Sequence, residues 1–156
     1  MAIGQVFFFD QFIEDESHKL HDLSNDTLML GLITSVATPT KATADPRWGA
    51  GATNLSTNEV TAGGSYVAGG VSLSGTITNN LTRVGSTKTL TGDDVSIAQN
   101  SLNPTDARWG IIYNATDAGK RCIAYVDLGG VVNLTSGPFS ITWSGTNVIA
   151  TQTTNP

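Results

Sequence analysis

The sequence is poor in the residues that form covalent cross-links and metal sites. Its 156 residues include one cysteine, Cys122, and two histidines, His18 and His21. A single cysteine excludes an intramolecular disulfide and leaves no cysteine cluster for zinc, which fits folding in a reducing cytoplasm. A chain of this length can bury about 70% of its unfolded surface without disulfides or a structural metal. We therefore predict one domain, spanning 1–156, that is held together by an apolar core.

Charged residues and long apolar runs are also scarce. Asp, Glu, Lys and Arg make up 13% of the chain, and the formal net charge is −5. The eight Lys and Arg residues are scattered, so no basic patch is expected to replace counterions on a phosphate backbone. The N-terminus lacks a basic region, and its first apolar run, Val6–Phe9, ends at Asp10. We therefore predict no signal peptide, no membrane-spanning helix and no nucleic-acid partner.

Small polar residues are abundant in the chain, and in short stretches they alternate with large apolar residues. Ser, Thr, Asn and Gly supply about 40% of the chain, whereas 39% is hydrophobic, enough for a core rather than a disordered chain. In the stretch Phe139–Trp143, large apolar residues alternate with Ser140 and Thr142. Because a strand turns successive side chains to opposite faces, this stretch predicts a strand with one buried face.

Other segments predict a mostly-β chain. Thr27–Ser35 is apolar on both faces, so we expect the most buried strand there. Val71, Leu73 and Ile77 alternate with small polar residues, and further strands are expected near Lys88–Leu90, Val95–Ile97, Ala107–Tyr113, Arg121–Leu128 and Val148–Thr151. Many short strands divided by turn residues predict a single-domain antiparallel β-sandwich or barrel. The predicted core comprises Leu28, Leu30, Leu32, Ile111, Tyr113, Val126, Phe139, Ile141 and Trp143.

The first thirty residues carry much of the negative charge and a helical pattern. Apolar residues recur there at spacings near three and four, as one face of an amphipathic helix requires. We predict a short helix within about 9–22. The apolar positions are Phe9, Phe12, Ile13, Leu20 and Leu23.

A long segment, about 36–58, has no hydrophobic period and contains Pro39, Pro46, Gly49 and Gly51. Loops of this length in a compact domain are usually functional, so we expect this one to make interactions. Its stretch Asp45–Gly49 resembles Asp106–Gly110, but the flanking residues differ, and we interpret the match as chance.

No residue pattern predicts catalysis, a cofactor or a metal site. His18 and His21 fit a solvated helix face, and Asp93-Asp94 fits a turn, because the alternating oxygen ligands of a calcium loop are missing. Cys122 lies among apolar residues of a predicted strand, where a thiol is inert. The glycine stretches lack the remaining positions of nucleotide-binding loops. We therefore expect the protein not to be an enzyme.

Three aromatic residues, Trp48, Tyr66 and Trp109, are candidates for stacking on sugars. Alternation with Ile111 and Tyr113 favours core burial for Trp109. Trp48 could equally cover one end of the sandwich or anchor an interface.

The order of these segments resembles a family of small virion proteins of tailed bacteriophages. The resemblance covers about 7–151 and consists of strand and turn patterns without catalytic residues. The segments that carry it are the acidic helix, Asp26–Ser35, Asn58–Val60, Gly63–Leu73, Asp93–Val95, Ala107–Tyr113, Ile123–Gly129 and Phe139–Trp143. The chain departs from the family in its Pro-rich Lys41–Trp48 stretch.

The resemblance implies a structural role in the virion, after synthesis in the host cytoplasm. We expect a capsid decoration, or cement, protein that binds the major capsid protein outside the assembled head and forms a closed homo-oligomer, with a trimer favoured. The alternatives are a neck, tail or head-fibre component and a receptor- or glycan-binding module. The acidic helix and the 36–58 segment should contact the partner. The expected interface residues are Phe7, Phe8, Phe9, Pro46, Arg47 and Trp48.

Overall fold

The residues that the structure describes form mostly antiparallel sheets with one α-helix, which confirms the predicted mostly-β fold class. A computed structural model describes residues 5–75, 80–84, 86–143 and 148–153. Its helix is α1 (Asp10–Ser17), and a 3-10 helix spans Leu55–Asn58. The strands are β1 (Val6–Phe8), β2 (Leu28–Ile33), β3 (Pro46–Arg47), β4 (Thr53–Asn54), β5 (Val71–Ser72), β6 (Asn80–Val84), β7 (Thr87–Thr91), β8 (Val95–Ile97), β9 (Ala107–Asn114), β10 (Cys122–Val132), β11 (Phe139–Ile141) and β12 (Val148–Thr153).

A five-stranded antiparallel sheet forms the centre of the fold, with the order β1-β10-β9-β2-β5. Leu30 of β2 lies opposite Ile112 of β9, and Tyr125 of β10 lies opposite Ile111. Three of the other described strands, β12-β7-β6, form a second sheet, while β11-β8 and β3-β4 form two-stranded sheets. The pair β3-β4 is parallel, an exception to the predicted antiparallel arrangement.

Both faces of the central sheet are covered. Leu28, Leu30 and Leu32 pack on one face with α1 and the smaller antiparallel sheets. The opposite face, which carries Ile33 and Ile111, packs against the 36–58 segment. This double coverage explains the two apolar faces of β2. Strand β2 is not the single most buried strand, because five of its six residues are buried compared with seven of eight in β9.

The helix α1 is shorter than its apolar pattern. The chain leaves the helix at Lys19, whose φ of +57° lies in the left-handed region, and the Leu20 N–H bonds back to the Asp15 carbonyl, as at many helix ends. Phe12 is buried, whereas Ile13 keeps much of its surface exposed.

The predicted core is confirmed except at two positions. Seven of its members are buried, but Phe139 and Ile141 are only half-buried. In the predicted strand at 71–77, Val71 and Ser72 form β5 and Leu73 is fully buried, whereas Ile77 lies outside the described residues.

Candidate interaction surface

Three segments that the sequence predicts to contact a partner meet at one end of the central sheet. The Asp10 N–H at the start of α1 donates a hydrogen bond of 2.9 Å to the Lys41 carbonyl. The Lys41 amino group lies 5.5 Å from the centre of the Phe7 ring in β1, within the range of a cation–π contact. We call this combination of β1, α1 and residues 41–44 the N-terminal surface.

Two neighbouring cavities open on the N-terminal surface. One, of about 250 Å³, lies between β1, Lys41 and Thr151 of β12. The other, of about 310 Å³, lies between α1 and residues 41–44. Because Asp10 and Lys41 line both cavities, the two form one concave region with mixed charge.

The charged groups of the N-terminal surface are exposed. Asp10, Glu14 and Lys41 all keep much of their surface open to solvent. Asp10 is in the first turn of α1, where a carboxylate is favoured by the helix dipole. Covering such exposed charges costs desolvation free energy unless the partner supplies opposite charges or hydrogen bonds, so a partner on this surface is expected to carry both.

The predicted interface residues divide into accessible and buried positions. Phe7 is half-buried and stacks on Tyr125 at 5.2 Å, and Arg47 is half-buried and paired with Asp45 at 2.8 Å. These two residues retain surface for a partner. The remaining four, Phe8, Phe9, Pro46 and Trp48, are buried inside the chain. In the single chain these four side chains offer little surface to a partner, and their place in an interface stays a prediction.

The burial of Trp48 has a clear physical cause. Its ring stacks on Tyr113, with centroids 4.9 Å apart and an interplanar angle of 4°. It also covers Gly31 of β2 so closely that a Cβ at this position would overlap the ring. Of the two roles considered for Trp48, the structure therefore supports the cover and not the interface anchor. The 36–58 segment accordingly contributes a core layer, and only residues 41–44 belong to the N-terminal surface.

None of the three aromatic residues proposed for sugar stacking offers an open ring. Trp48, Tyr66 and Trp109 are 4%, 2% and 6% exposed. Trp109 is in the core, as its alternation predicts, and the Arg108 guanidinium covers its ring at 3.8 Å. A flat sugar face needs an accessible aromatic face, so these residues do not form a glycan platform.

The histidines differ from each other. His18 is exposed, as expected, but the His21 side chain has no exposed surface, so its predicted place on a solvated helix face is wrong. His21 Nδ1 lies 3.1 Å from Asn114 Nδ2, and its buried Nε2 has no hydrogen-bond partner. Burial lowers the pKa of His21, against the opposing effects of Asp15, Asp117 and Asp26, while Arg121 adds to the decrease.

His21 belongs to a polar cluster that the sequence does not reveal. Arg121 binds Asp117 at 2.7 Å and approaches Asp15 at 3.7 Å, and Asn114 donates to Asp26. The cluster joins α1 to the β9–β10 turn. Its members are far apart in the chain, and each fits a local role in a helix or a turn, so no local pattern identifies it.

The cysteine and the Asp93-Asp94 pair, considered as a nucleophile and as calcium ligands, have structural roles. Cys122 is buried, and burial raises the pKa of its thiol. The Asp94 carboxylate accepts the Trp143 backbone N–H, and the Asp93 carbonyl accepts the Trp143 indole N–H, which holds the predicted turn against the core. Among the described residues, no group of His, Cys, Asp and Glu side chains is arranged to hold a metal ion.

Comparisons with known proteins identify no relative. No family model, curated protein or solved structure matches the chain. Within the described residues, no helix is both long and apolar enough to span a membrane.

Proposed function

We propose that the protein is a structural component of a tailed-bacteriophage virion, and that it decorates the outside of the assembled head. The observation that carries the proposal is the N-terminal surface. Segments more than thirty residues apart meet there, joined by the hydrogen bond from Asp10 to Lys41 and the contact of Lys41 with Phe7. The same segments are those whose apolar residues and irregular backbone predict partner contacts in the sequence.

The N-terminal surface suits a protein partner. It combines the half-buried ring of Phe7, exposed carboxylates and one exposed amino group around a concave region. Interfaces commonly place apolar groups beside polar groups in this manner. The other candidate, a glycan-binding module, has less support, because the three aromatic side chains considered for sugar stacking are buried.

The effect of such decoration would be thermodynamic. A protein that binds the expanded shell more tightly than the unexpanded or disrupted shell stabilises the expanded state by the difference in binding free energy. The many copies on a shell add their contributions. No catalytic step is required.

The first test changes a charge on the N-terminal surface. Lys41→Glu should weaken binding to expanded, undecorated capsids at least tenfold, about 1.4 kcal/mol. The substitution removes the amino group that this surface offers to a partner and places a carboxylate beside Asp10. Lys120→Glu makes the same charge change at an exposed position in the β9–β10 turn and should bind like the wild type. The measurement is a binding titration, with circular dichroism of each free variant as the control for folding.

A second pair tests the shape of the same surface. Ala42→Phe should obstruct the cavity beside α1, whereas Ala118→Phe introduces the same ring at another exposed position. Unchanged binding of both Lys41→Glu and Ala42→Phe would rule out the N-terminal surface as the capsid contact. Saturable binding of the wild type to a cell-surface glycan, with none to capsids, would replace the decoration proposal with the receptor-binding alternative.

A further inference from the structure

The buried imidazole of His21 links the segment that follows α1 to the end of β9. Its side chain has no exposed surface, and its ring lies against that of Phe12 in α1, with the centroids 5.3 Å apart. The ring nitrogens face polar side chains. His21 Nδ1 lies 3.1 Å from Asn114 Nδ2, and His21 Nε2 lies 4.0 Å from Asp15 Oδ2.

The orientation of the Asn114 amide is fixed by its other hydrogen bonds. Its oxygen, Oδ1, accepts the backbone N–H groups of Thr116 and Asp117, both at 3.0 Å. Its nitrogen, Nδ2, donates one hydrogen to the Asp26 carboxylate and keeps the second for His21. Turning the amide over would place its NH2 group against two N–H donors and its oxygen against a carboxylate, so this orientation is the only one that satisfies all of these contacts.

The amide orientation determines which nitrogen of His21 carries the proton. Because Asn114 Nδ2 donates, His21 Nδ1 must accept, and a neutral imidazole that accepts at Nδ1 carries its hydrogen at Nε2. The protonated form does not fit this site. A second hydrogen, at Nδ1, would face the NH2 group of Asn114, and two donors would meet with no acceptor between them.

The charges around His21 do not relieve this conflict. Carboxylates approach from Asp15 in α1, Asp26 before β2 and Asp117 in the β9–β10 turn, together with the guanidinium of Arg121. Among the described residues, the only carboxylate oxygen within 4.0 Å of a ring nitrogen is Asp15 Oδ2, on the Nε2 side. Burial outweighs the attraction of the carboxylates, and the pKa of His21 is lowered.

We propose that His21 is an acid-sensitive latch between residues 18–26 and the β9–β10 turn. The neutral ring accepts the Asn114 amide and holds the two segments together. As the pH falls below about 6.5, a proton from solvent binds at Nδ1 and removes that acceptor. The imidazolium then leaves the buried site for water, and residues 18–26 separate from the turn.

The central sheet should persist while the latch opens. Its strands are paired through backbone hydrogen bonds, which do not titrate. The only other histidine in the chain, His18, is exposed and serves as the control. The latch is a property of the free chain, so it does not depend on the proposed attachment to a capsid.

The test is NMR of the ¹⁵N-labelled full chain between about pH 8 and pH 5, the range in which histidine titrates. At the upper end, the imidazole ¹⁵N shifts of His21 should be those of the neutral form protonated at Nε2. On acidification, the amide signals of Thr116 and Asp117 should shift with the same midpoint as the His21 ring. The heteronuclear NOE of residues 20–26 should decrease over the same range, because the separated segment becomes mobile. The Ser65 amide, which donates to the side-chain oxygen of Asn103 at 2.7 Å, is a matched contact outside the latch and should not shift.

Two variants assign the transition to one histidine. His21→Gln should abolish the shifts of the turn amides, and His18→Gln should leave them unchanged. Circular dichroism at both ends of the range checks that the sheet is retained. A neutral His21 protonated at Nδ1, turn amides that stay unchanged while the ring titrates, or the same shifts in His21→Gln would overturn the proposal. Cooperative loss of the whole fold at the midpoint of His21 would also overturn it, because the latch requires the sheet to persist.

Discussion

The ring of Trp48 packs directly against Gly31, which has no side chain. The indole occupies the space that any other residue at position 31 would fill, and it lies parallel to Tyr113. Both partners of Trp48 are on strands of the central sheet, so the contact fixes the 36–58 segment on the sheet. The energetic role of Trp48 is therefore inside the chain.

Trp48→Ala should lower the free energy of unfolding by about 3–5 kcal/mol, because it removes a buried aromatic ring and leaves a cavity above Gly31. Chemical denaturation measures this change. Trp48→Phe retains part of the ring contact and should cost less. A cost below about 1 kcal/mol for Trp48→Ala would contradict the packing described for this ring.

His21 is a second residue whose substitution should change stability, in this case through its protonation. Its buried imidazole faces Asp15 from α1, Asp26 from the segment before β2, and Asp117 and Arg121 from the β9–β10 turn. The net effect of these surroundings is a lowered pKa, with burial as the largest cause. The folded chain therefore binds a proton at His21 less readily than the unfolded chain does.

The sign of the pH dependence follows from this difference. The contribution of His21 to stability is fully present above the unfolded pKa of about 6.5 and is lost as the pH falls through the folded pKa. The free energy of unfolding should therefore decrease on acidification below about pH 6.5. His21→Gln should reduce this dependence, and His18→Gln, at the exposed histidine, should leave it unchanged. Equal pH profiles for the wild type and His21→Gln would exclude His21 as its source.

At the scale of the elements, two different arrangements satisfy the backbone N–H and C=O groups on the outer edge of β2. Strand β5 pairs with the first half of β2, at Met29 and Leu30. Beyond β5, the Tyr66 hydroxyl accepts the Leu32 N–H at 2.9 Å, and the Leu32 carbonyl accepts the Val60 N–H at 3.0 Å. A side chain thus takes the place of a strand in satisfying a buried backbone group.

The Tyr66 hydroxyl also stabilises the chain segment between Glu59 and Gly69. Its hydroxyl donates to Glu59 Oε1 at 2.9 Å, and the same oxygen accepts the Gly69 N–H at 2.6 Å. The pKa of Tyr66 is raised, chiefly by burial, so the phenol remains protonated and can donate this hydrogen bond.

Tyr66→Phe should lower the free energy of unfolding by about 1–3 kcal/mol, because it leaves the buried Leu32 N–H without its acceptor. Tyr125→Phe is the matched control. The Tyr125 hydroxyl takes part in none of the hydrogen bonds described above, and its removal should change stability by less than about 0.5 kcal/mol. Denaturant unfolding of the two variants measures the difference. Equal costs would show that the hydroxyl of Tyr66 is not required at the strand edge.

The strands could be predicted because their signal is local. Alternation at 107–113 and the two apolar faces of 27–35 place the central sheet close to its observed bounds. Alternation gives the face on which a side chain lies but not whether another layer covers it, which is why Phe139 and Ile141 were expected to be fully buried. The role of Trp48 depends on Gly31, and His21 contacts Asn114, 93 residues away, so no local pattern could identify either contact.

For the whole molecule, we predict a closed homo-oligomer on the proposed phage particle, with a trimer favoured. Decoration sites lie at symmetry axes, and a surface with few charges allows copies to pack side by side. A density map of the intact virion should show copies in mutual contact around such an axis. Isolated copies without mutual contact would refute the prediction.

The burial of Cys122 gives this chain a practical property. Its thiol is 1% exposed, and its pKa is raised by burial, so it presents little reactive thiolate to a maleimide or similar reagent while the protein is folded. No other cysteine is present in the chain. A cysteine introduced at an exposed position, such as Ala42 on the N-terminal surface, would be the preferred site of labelling. A fluorophore could therefore be attached to this surface without first replacing the native cysteine.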